Sequence, residues 1–277
     1  MTGILYLCAT PIGNLEDMTF RAVRILKEVD FIAAEDTRHT RKLLTHFDIH
    51  TPLIRYDENC REEAGEKIIE RILSGENCAC VSDAGIPAIS DPGANLAKLA
   101  IEAGIKISPI PGANAALSAL VCSGLDTAKF TFVGFLPKSA KNRREFLEKL
   151  KKCEETLIFY EAPHRLKETL NVLAGSFGNR KIVLAREITK IHEEFIRGNL
   201  EEIVQNPGEI RGEFVIVLEG AKNFPEEFSE GSSENFIDFC KNLIETGTDK
   251  KSAIRETAKR FNVGRREVYN EILKSGI

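Results

Sequence analysis

Two turns of similar make-up, Asp83-Ala84-Gly85-Ile86-Pro87 and Pro111-Gly112-Ala113-Asn114, have residue types suited to holding a small molecule. Small residues let backbone amides approach a ligand closely, and proline limits the entropy lost when one binds. Asp83 adds a carboxylate that can accept from an amine or a hydroxyl. One such turn reads equally well as punctuation between a strand and a helix. Two of them with an acid favour a ligand pocket. A second candidate for chemistry is Glu35-Asp36-Thr37-Arg38, two acids and an arginine directly ending an apolar run, where open α/β sheets carry function.

These groups need elements to position them. Ile4 to Cys8 reads as a strand entering the loop Ala9-Thr10-Pro11-Ile12-Gly13-Asn14. Thr19 to Val29 has apolar residues at helical spacing, and Phe31 to Ala34 reads as a second strand. Thr37 is the expected cap of the helix carrying Leu43 and Leu44. An amphipathic helix over Glu58–Leu73 precedes the strand Cys78–Val81. Ile105 to Ile110 is another short strand, and Ala/Leu-rich helices follow both turns. Strand and helix thus alternate through Cys122, as in a parallel sheet covered on both faces.

Ser123-Gly124-Leu125-Asp126 breaks the alternation with turn chemistry, and the first domain boundary is placed there. Strands are expected over Phe130–Phe135, Thr156–Tyr160, Lys181–Ala185, Glu194–Arg197 and Glu213–Leu218, forming a mixed sheet. Helices over Ala140–Lys151 and Leu166–Ala174 accompany them. An acidic, Ser-rich linker (Phe224 to Ser233) leads to three helical patterns: Glu234–Glu245, Lys251–Phe261 and Gly264–Leu273. The last two form a helix-turn-helix-like appendage. Its cations Lys250, Lys251, Arg255, Lys259, Arg260, Arg265 and Arg266 are interspersed with acids, so a solvated helical cap is as good a reading as nucleic-acid contact.

The 277 residues suffice for a large core or two ordinary domains, and 43% hydrophobic with 29% charged residues is a globular composition. A formal charge of -4 gives no global nucleic-acid signal, so polyanion binding would need local basic patches. The apolar N-terminal run is too short to span a membrane and lacks a basic lead-in, which points to a cytoplasmic protein. The 7 cysteines show no metal spacing and read as reduced thiols. The loop around Gly13 lacks the spacing of a dinucleotide fingerprint, and Asp30 precedes its strand, so NAD binding is not supported. There is no P-loop lysine and no GxSxG elbow.

Taken together, LYLCATPIGN, VSDAGIPAISDPG, PIPGANAALSAL, FVGFLP and RGEFVIVLEG resemble the tetrapyrrole methylase superfamily. EDTRHTRKLL, FYEAPHRL and AREITKIHEEFIRG narrow the likeness to its ribosomal RNA small-subunit methyltransferase I branch. The resemblance runs over essentially the whole chain. It implies an α/β fold of two α/β domains, residues 1–122 with a parallel sheet and 123–222 with a mixed sheet. The cofactor cleft would lie between them, and residues 234–277 would be a small helical module. It also implies S-adenosylmethionine as cofactor, small-subunit ribosomal RNA as partner, a homodimer, and no required metal. The expected reaction is methylation of a cytidine ribose 2′-hydroxyl in the decoding region. One departure is that the superfamily's first loop is usually Gly-rich, whereas ATPIGN has less backbone freedom, which implies a different acceptor.

Carried over residue by residue, the resemblance puts Pro11, Ile12 and Gly13 along the cofactor. Asp83, Gly85, Ile86 and Pro87 join them, with Asn114 and Ala115 at a helix start suited to a carboxylate. Phe159 and Tyr160 would pack near the adenine. A ribose hydroxyl needs a base or a cation beside it. The candidates are Glu35, Asp36 and Arg38, with Glu161, His164, Arg186, Glu187 and Lys190; the proton acceptor among them is unassigned, and a structural ion pair competes with each. Lys138, Lys141, Arg143 and Arg144, with Arg38 and Arg165, are the expected RNA contacts. The rivals are a tetrapyrrole C-methyltransferase of the same superfold and a non-catalytic RNA-binding or ribosome-assembly factor.

Overall fold

A computed structural model describes residues 2–221, 236–261 and 263–274. The chain separates into two compact units, Met1–Ala221 and Lys222–Ile277. The expected linker over Phe224–Ser233 lies outside the described residues.

The first unit opens with a five-stranded parallel sheet. Its strands are β1 (Ile4–Cys8), β2 (Phe31–Ala34), β3 (Leu53–Arg55), β4 (Cys78–Val81) and β5 (Lys106–Ile110), in the order β3-β2-β4-β1-β5. Period-2 alternation sends Cys78 and Cys80 to one face and Ala79 and Val81 to the other, and all four are buried. Helices α1 (Phe20–Glu28) and α2 (Thr37–His46) cover the face of Ala79. Helices α3 (Arg61–Leu73) and α4 (Gly93–Glu102) cover the other. Leu26 of α1 is fully buried, which stabilises by about 2 kcal/mol. Burial pushes the Cys78 thiol up to about 12, and all seven cysteines are free. The connections leaving β1 and β4 run to opposite faces and opposite ends of the sheet, so the switch point lies between these two strands.

The second sheet has the order β6-β7-β10-β8-β9. It comprises β6 (Phe130–Phe135), β7 (Thr156–Glu161), β8 (Lys181–Arg186), β9 (Glu194–Asn199) and β10 (Phe214–Leu218). Only the β6–β7 pair is parallel, giving the mixed sheet. Helices α6 (Ala140–Leu150), α7 (Pro163–Phe177) and α8 (Leu200–Gln205) cover one face of it. The opposite face is covered by α5 (Ala115–Ser123), whose Ala116, Ala119 and Leu120 pack on Ile158, Val183, Val215 and Val217. The boundary we propose at residue 123 therefore falls at the end of a helix that follows the first sheet but packs on the second. Two elements lie outside the sequence expectations: β3, which is only three residues long, and α8, which its Asn199/Glu202 capping box marks.

The second unit holds α9 (Phe236–Glu245), α10 (Lys250–Arg260) and α11 (Arg265–Lys274) around Cys240, Ala253, Ile254, Val268 and Ile272. Asp249 caps α10 by accepting the Ser252 N–H at 3.0 Å. Among the described residues no helix is long and apolar enough to cross a membrane.

Candidate active site

At the switch point the loop after β1 and the turn after β4 are tied together. Thr10 and Gly85 exchange backbone hydrogen bonds of 2.9 and 3.1 Å, and the buried Thr10 hydroxyl donates to the Ser82 carbonyl. Gly85 sits at φ +79°, where a side chain would be strained. Beyond it, Ala88 and Ser90 are non-glycine residues at φ +72° and +67°. Asp91 stabilises that strained turn: its Oδ1 accepts the N–H groups of Ala88 at 2.9 Å and Gly93 at 2.7 Å.

These turns wall one side of a cavity of about 550 Å³ between the two sheets. Ile12, Asp83, Gly85, Ile86, Asn114 and Ala115 line it, with Tyr160 opposite. Phe132 and Phe135 meet the Tyr160 ring edge-on at 5.0 and 5.7 Å, and Phe135 and Tyr160 give the cavity an aromatic wall. Pro11 and Pro87 are not among the lining residues. Gly13 lies in a separate groove of about 800 Å³, against the stem of Lys190. Phe159 is fully buried and points into the opposite core with Leu166 and Leu170, because neighbouring strand residues face opposite ways. The helix start also differs from an open anion cradle. Asn114 Oδ1 accepts the Leu117 N–H at 2.8 Å, so that amide is already engaged.

The candidate proton-handling groups fall into three settings. Glu35 lines the cavity, and burial, reinforced by the charges of Asp83 and Asp91, raises its carboxyl above the ordinary value. Asp36, not Thr37, caps α2, accepting the Arg38 N–H at 2.8 Å; this bond and the Arg38 side chain hold Asp36 low. Arg38 is exposed beside it. Glu161 borders the cavity, but its carboxylate is shut from solvent. It accepts from the Thr169 hydroxyl at 2.5 Å and the Ala162 N–H at 2.9 Å, with Arg165 Nε at 3.5 Å. Glu187 and Lys190 wall the groove. Lys190 Nζ lies 2.9 Å from Glu187 and 2.8 Å from Glu213. Against the opposing effect of burial, these bonds hold Glu187 low and Lys190 high.

Several expected contacts are structural. Arg186 is buried against Glu194 and Glu209 and donates to the Arg211 carbonyl at 2.8 Å. Arg143 is buried and paired with Glu168. Arg165 donates to the Leu136 carbonyl at 3.1 Å. Lys138, Lys141, Arg144 and His164 are exposed. Sequence reading missed Asp91, Phe135, Ile188 and Glu213 in the cavity wall. Each lies within a quoted motif, Asp91 in VSDAGIPAISDPG, Phe135 in FVGFLP, Ile188 in AREITKIHEEFIRG and Glu213 in RGEFVIVLEG, but only the packing of the two sheets shows that they share a wall.

Residues 4–204 match the family described as Tetrapyrrole (Corrin/Porphyrin) Methylases. The chain is 52% identical to Ribosomal RNA small subunit methyltransferase I of Halalkalibacterium halodurans over 97% of its length and 94% of that protein. It is 51% identical to the protein of that name from Bacillus subtilis, over 97% of this chain and 93% of the relative. This chain belongs to the ribosomal RNA small-subunit methyltransferase I branch of the tetrapyrrole methylase family. Among solved structures, uroporphyrin-III-C-methyltransferase from Thermus thermophilus is similar in fold. Its TM-score is 0.58 at 19% identity, over 78% of this chain and 94% of that one. The same enzyme complexed with S-adenyl homocysteine gives 0.56 at 19%, over 78% and 97%.

The cavity fits the cofactor of a methylase of this family. S-adenosylmethionine presents an ammonium, ribose hydroxyls and an adenine amine as donors, and a flat ring. The cavity offers the carboxylates of Asp83 and Asp91 as acceptors. Asp91 Oδ2 is buried and has no partner among the described residues. Tyr160 and Phe135 supply a surface for the ring, and Ile12, Ile86 and Ile188 supply apolar walls.

Proposed function

We propose that this chain methylates the 2′-hydroxyl of a cytidine ribose in the decoding region of small-subunit (16S) ribosomal RNA, using S-adenosylmethionine. The observation that carries the substrate class is identity above 50% over nearly the full length of relatives named for that RNA. The cavity supports the chemistry. Asp83, with Gly85, Ile86 and Asn114, would hold the cofactor along the first sheet, and Tyr160 would cover it from the second. When bound, the cofactor supplies an electrophilic methyl carbon on a sulfonium. The chain must hold the ribose oxygen in line with that carbon and take its proton as the carbon–oxygen bond forms.

Glu35 is the group we assign to the proton. It is at the cavity wall, and its raised pKa brings it nearer the working pH of a general base. Glu161 is assigned to structure instead, because its oxygens are already engaged. Lys190, between Glu187 and Glu213, is assigned to placing the β8–β9 turn beside the acceptor. Exposed Lys138, Lys141 and Arg144 would contribute RNA contacts. The reading includes a cytoplasmic homodimer, for which the exposed Leu117 and Val121 of α5 offer apolar surface to bury.

The test uses methyl-labelled S-adenosylmethionine and small subunits from a strain lacking this protein, followed by alkaline hydrolysis of the RNA. Label in an alkali-resistant dinucleotide is the expected result, because a 2′-O-methyl group blocks cleavage of its own phosphodiester. Label in ordinary mononucleotides would replace ribose with base chemistry. No label, with the cofactor still bound, would overturn the RNA substrate.

A further inference from the structure

The face of α2 that looks to solvent is built from cations. Arg38, Arg41, Lys42 and Thr45 are all exposed and stand at i, i+3, i+4 and i+7, one side of a helix. Thr40 and Leu44 are buried on the other side. No acid occurs within Thr37–His46, and Arg41 and Lys42 make no ion pair among the described residues. The basic run of α6 is less available, since Arg143 is buried on Glu168 and Lys141 lies 4.0 Å from Glu145. In a chain of net charge -4, α2 is a local reversal of sign.

Its position matters as much as its charge. The helix starts at Asp36, whose N–H donates to Asp83 at the cavity, immediately after Glu35 in the cavity wall. It ends at His46, which with Phe47, Leu15 and Ile191 walls the groove beside Lys190. The ten-residue helix therefore runs about 15 Å between the two concavities and carries the basic face along it. A membrane-binding helix would set large apolar side chains beside its cations, whereas this face adds only Thr45.

We propose that this face of α2 binds the sugar–phosphate backbone of the RNA next to the nucleotide that enters the cavity, with Arg41 and Lys42 as phosphate contacts. This rests on the RNA substrate proposed above. Phosphate contacts fix register while leaving base identity to other groups.

The test measures binding of the full chain to small-subunit RNA across a salt series. The parent is compared with Arg41→Glu/Lys42→Glu, with the milder Arg41→Gln/Lys42→Gln, and with the charge-matched Lys98→Glu/Lys106→Glu. The first pair should weaken binding at least ~10-fold near 0.1 M salt, the Gln pair less. Both should flatten the log–log salt slope by roughly 1.4 to 1.8, two contacts at about 0.7 to 0.9 each. Cofactor affinity should stay at the parent value, and the Lys98/Lys106 variant should track the parent. An unchanged slope in both α2 variants, with methyl transfer intact, would overturn the α2 surface and leave the proposed function standing. A parent that binds cofactor but neither small-subunit RNA nor assembled small subunits would overturn both, and anionic vesicles would then be the next partner tried.

Discussion

Asp83 Oδ1 accepts the backbone N–H of Asp36 at 3.0 Å, so the carboxylate after β4 locks the end of β2. The same side chain faces the cavity, and its charge adds to burial in raising the pKa of Glu35. Asp83→Asn keeps an acceptor for Asp36, whereas Asp83→Ala removes it. Calorimetric titration should show S-adenosylmethionine affinity falling ~10- to 100-fold in the Ala variant, the loss of one charged hydrogen bond. Affinity at the parent level would remove Asp83 from the cofactor site.

Glu35 carries a pH signature. Its folded pKa lies above the unfolded value, so the folded state holds its proton more tightly and stability falls as pH rises from near 4.5 through the raised value. Glu35→Gln cannot ionise. It should therefore melt higher than the parent at neutral pH, with the gap closing below pH 4.5. As the proposed base, it should also lose about 100-fold or more in kcat. A variant that transfers methyl groups at the parent rate would clear Glu35 of that role.

Thr169→Val tests the structural assignment of Glu161. It keeps the volume of a buried residue but leaves Glu161 Oε2 without its 2.5 Å donor. Urea unfolding should show a loss of about 1–3 kcal/mol. Since the Thr169 side chain is fully buried, kcat measured on the folded fraction should hardly change.

Lys190→Met leaves Glu187 and Glu213 without their shared cation. Glu187 is held below its ordinary pKa, so its contribution is present above that value and lost as pH falls through the lowered one. The variant should be about 1 kcal/mol less stable at neutral pH, solvent screening keeping the figure small. Melting curves of parent and variant should converge in acid. A gap that persists there would mean that lost packing against Gly13, and not charge, dominates.

Much of this was legible because strand ends and the turns after them are contiguous in sequence. Cys78–Val81 appears as four apolar residues, and the turn that follows supplies Asp83, Gly85 and Ile86 to the cavity directly. Phe159 and Tyr160 show the limit. Both are aromatic strand residues, and only the placement of α7 on one face and α5 on the other decides which meets the cavity. Arg143 and Arg144 pose the same ambiguity on a helix: adjacent in sequence, one is buried on Glu168 and the other exposed. Glu213 enters the wall only through the pairing of β10 with β7 and β8, a long-range register that no local pattern encodes.

The packing of α5 across the sheets bears on how such chains can be recombined. In a chimera of two homologues joined at residue 123, α5 comes from one parent and the valines of β8 and β10 beneath it from the other. Moving the crossover to Gly112 lets helix and sheet face be inherited together, and breaks instead the close approach of Gly112 to Ala9 in the first loop. A matched residue 9 repairs that contact, and a matched Ile12 keeps the first loop packed against α5.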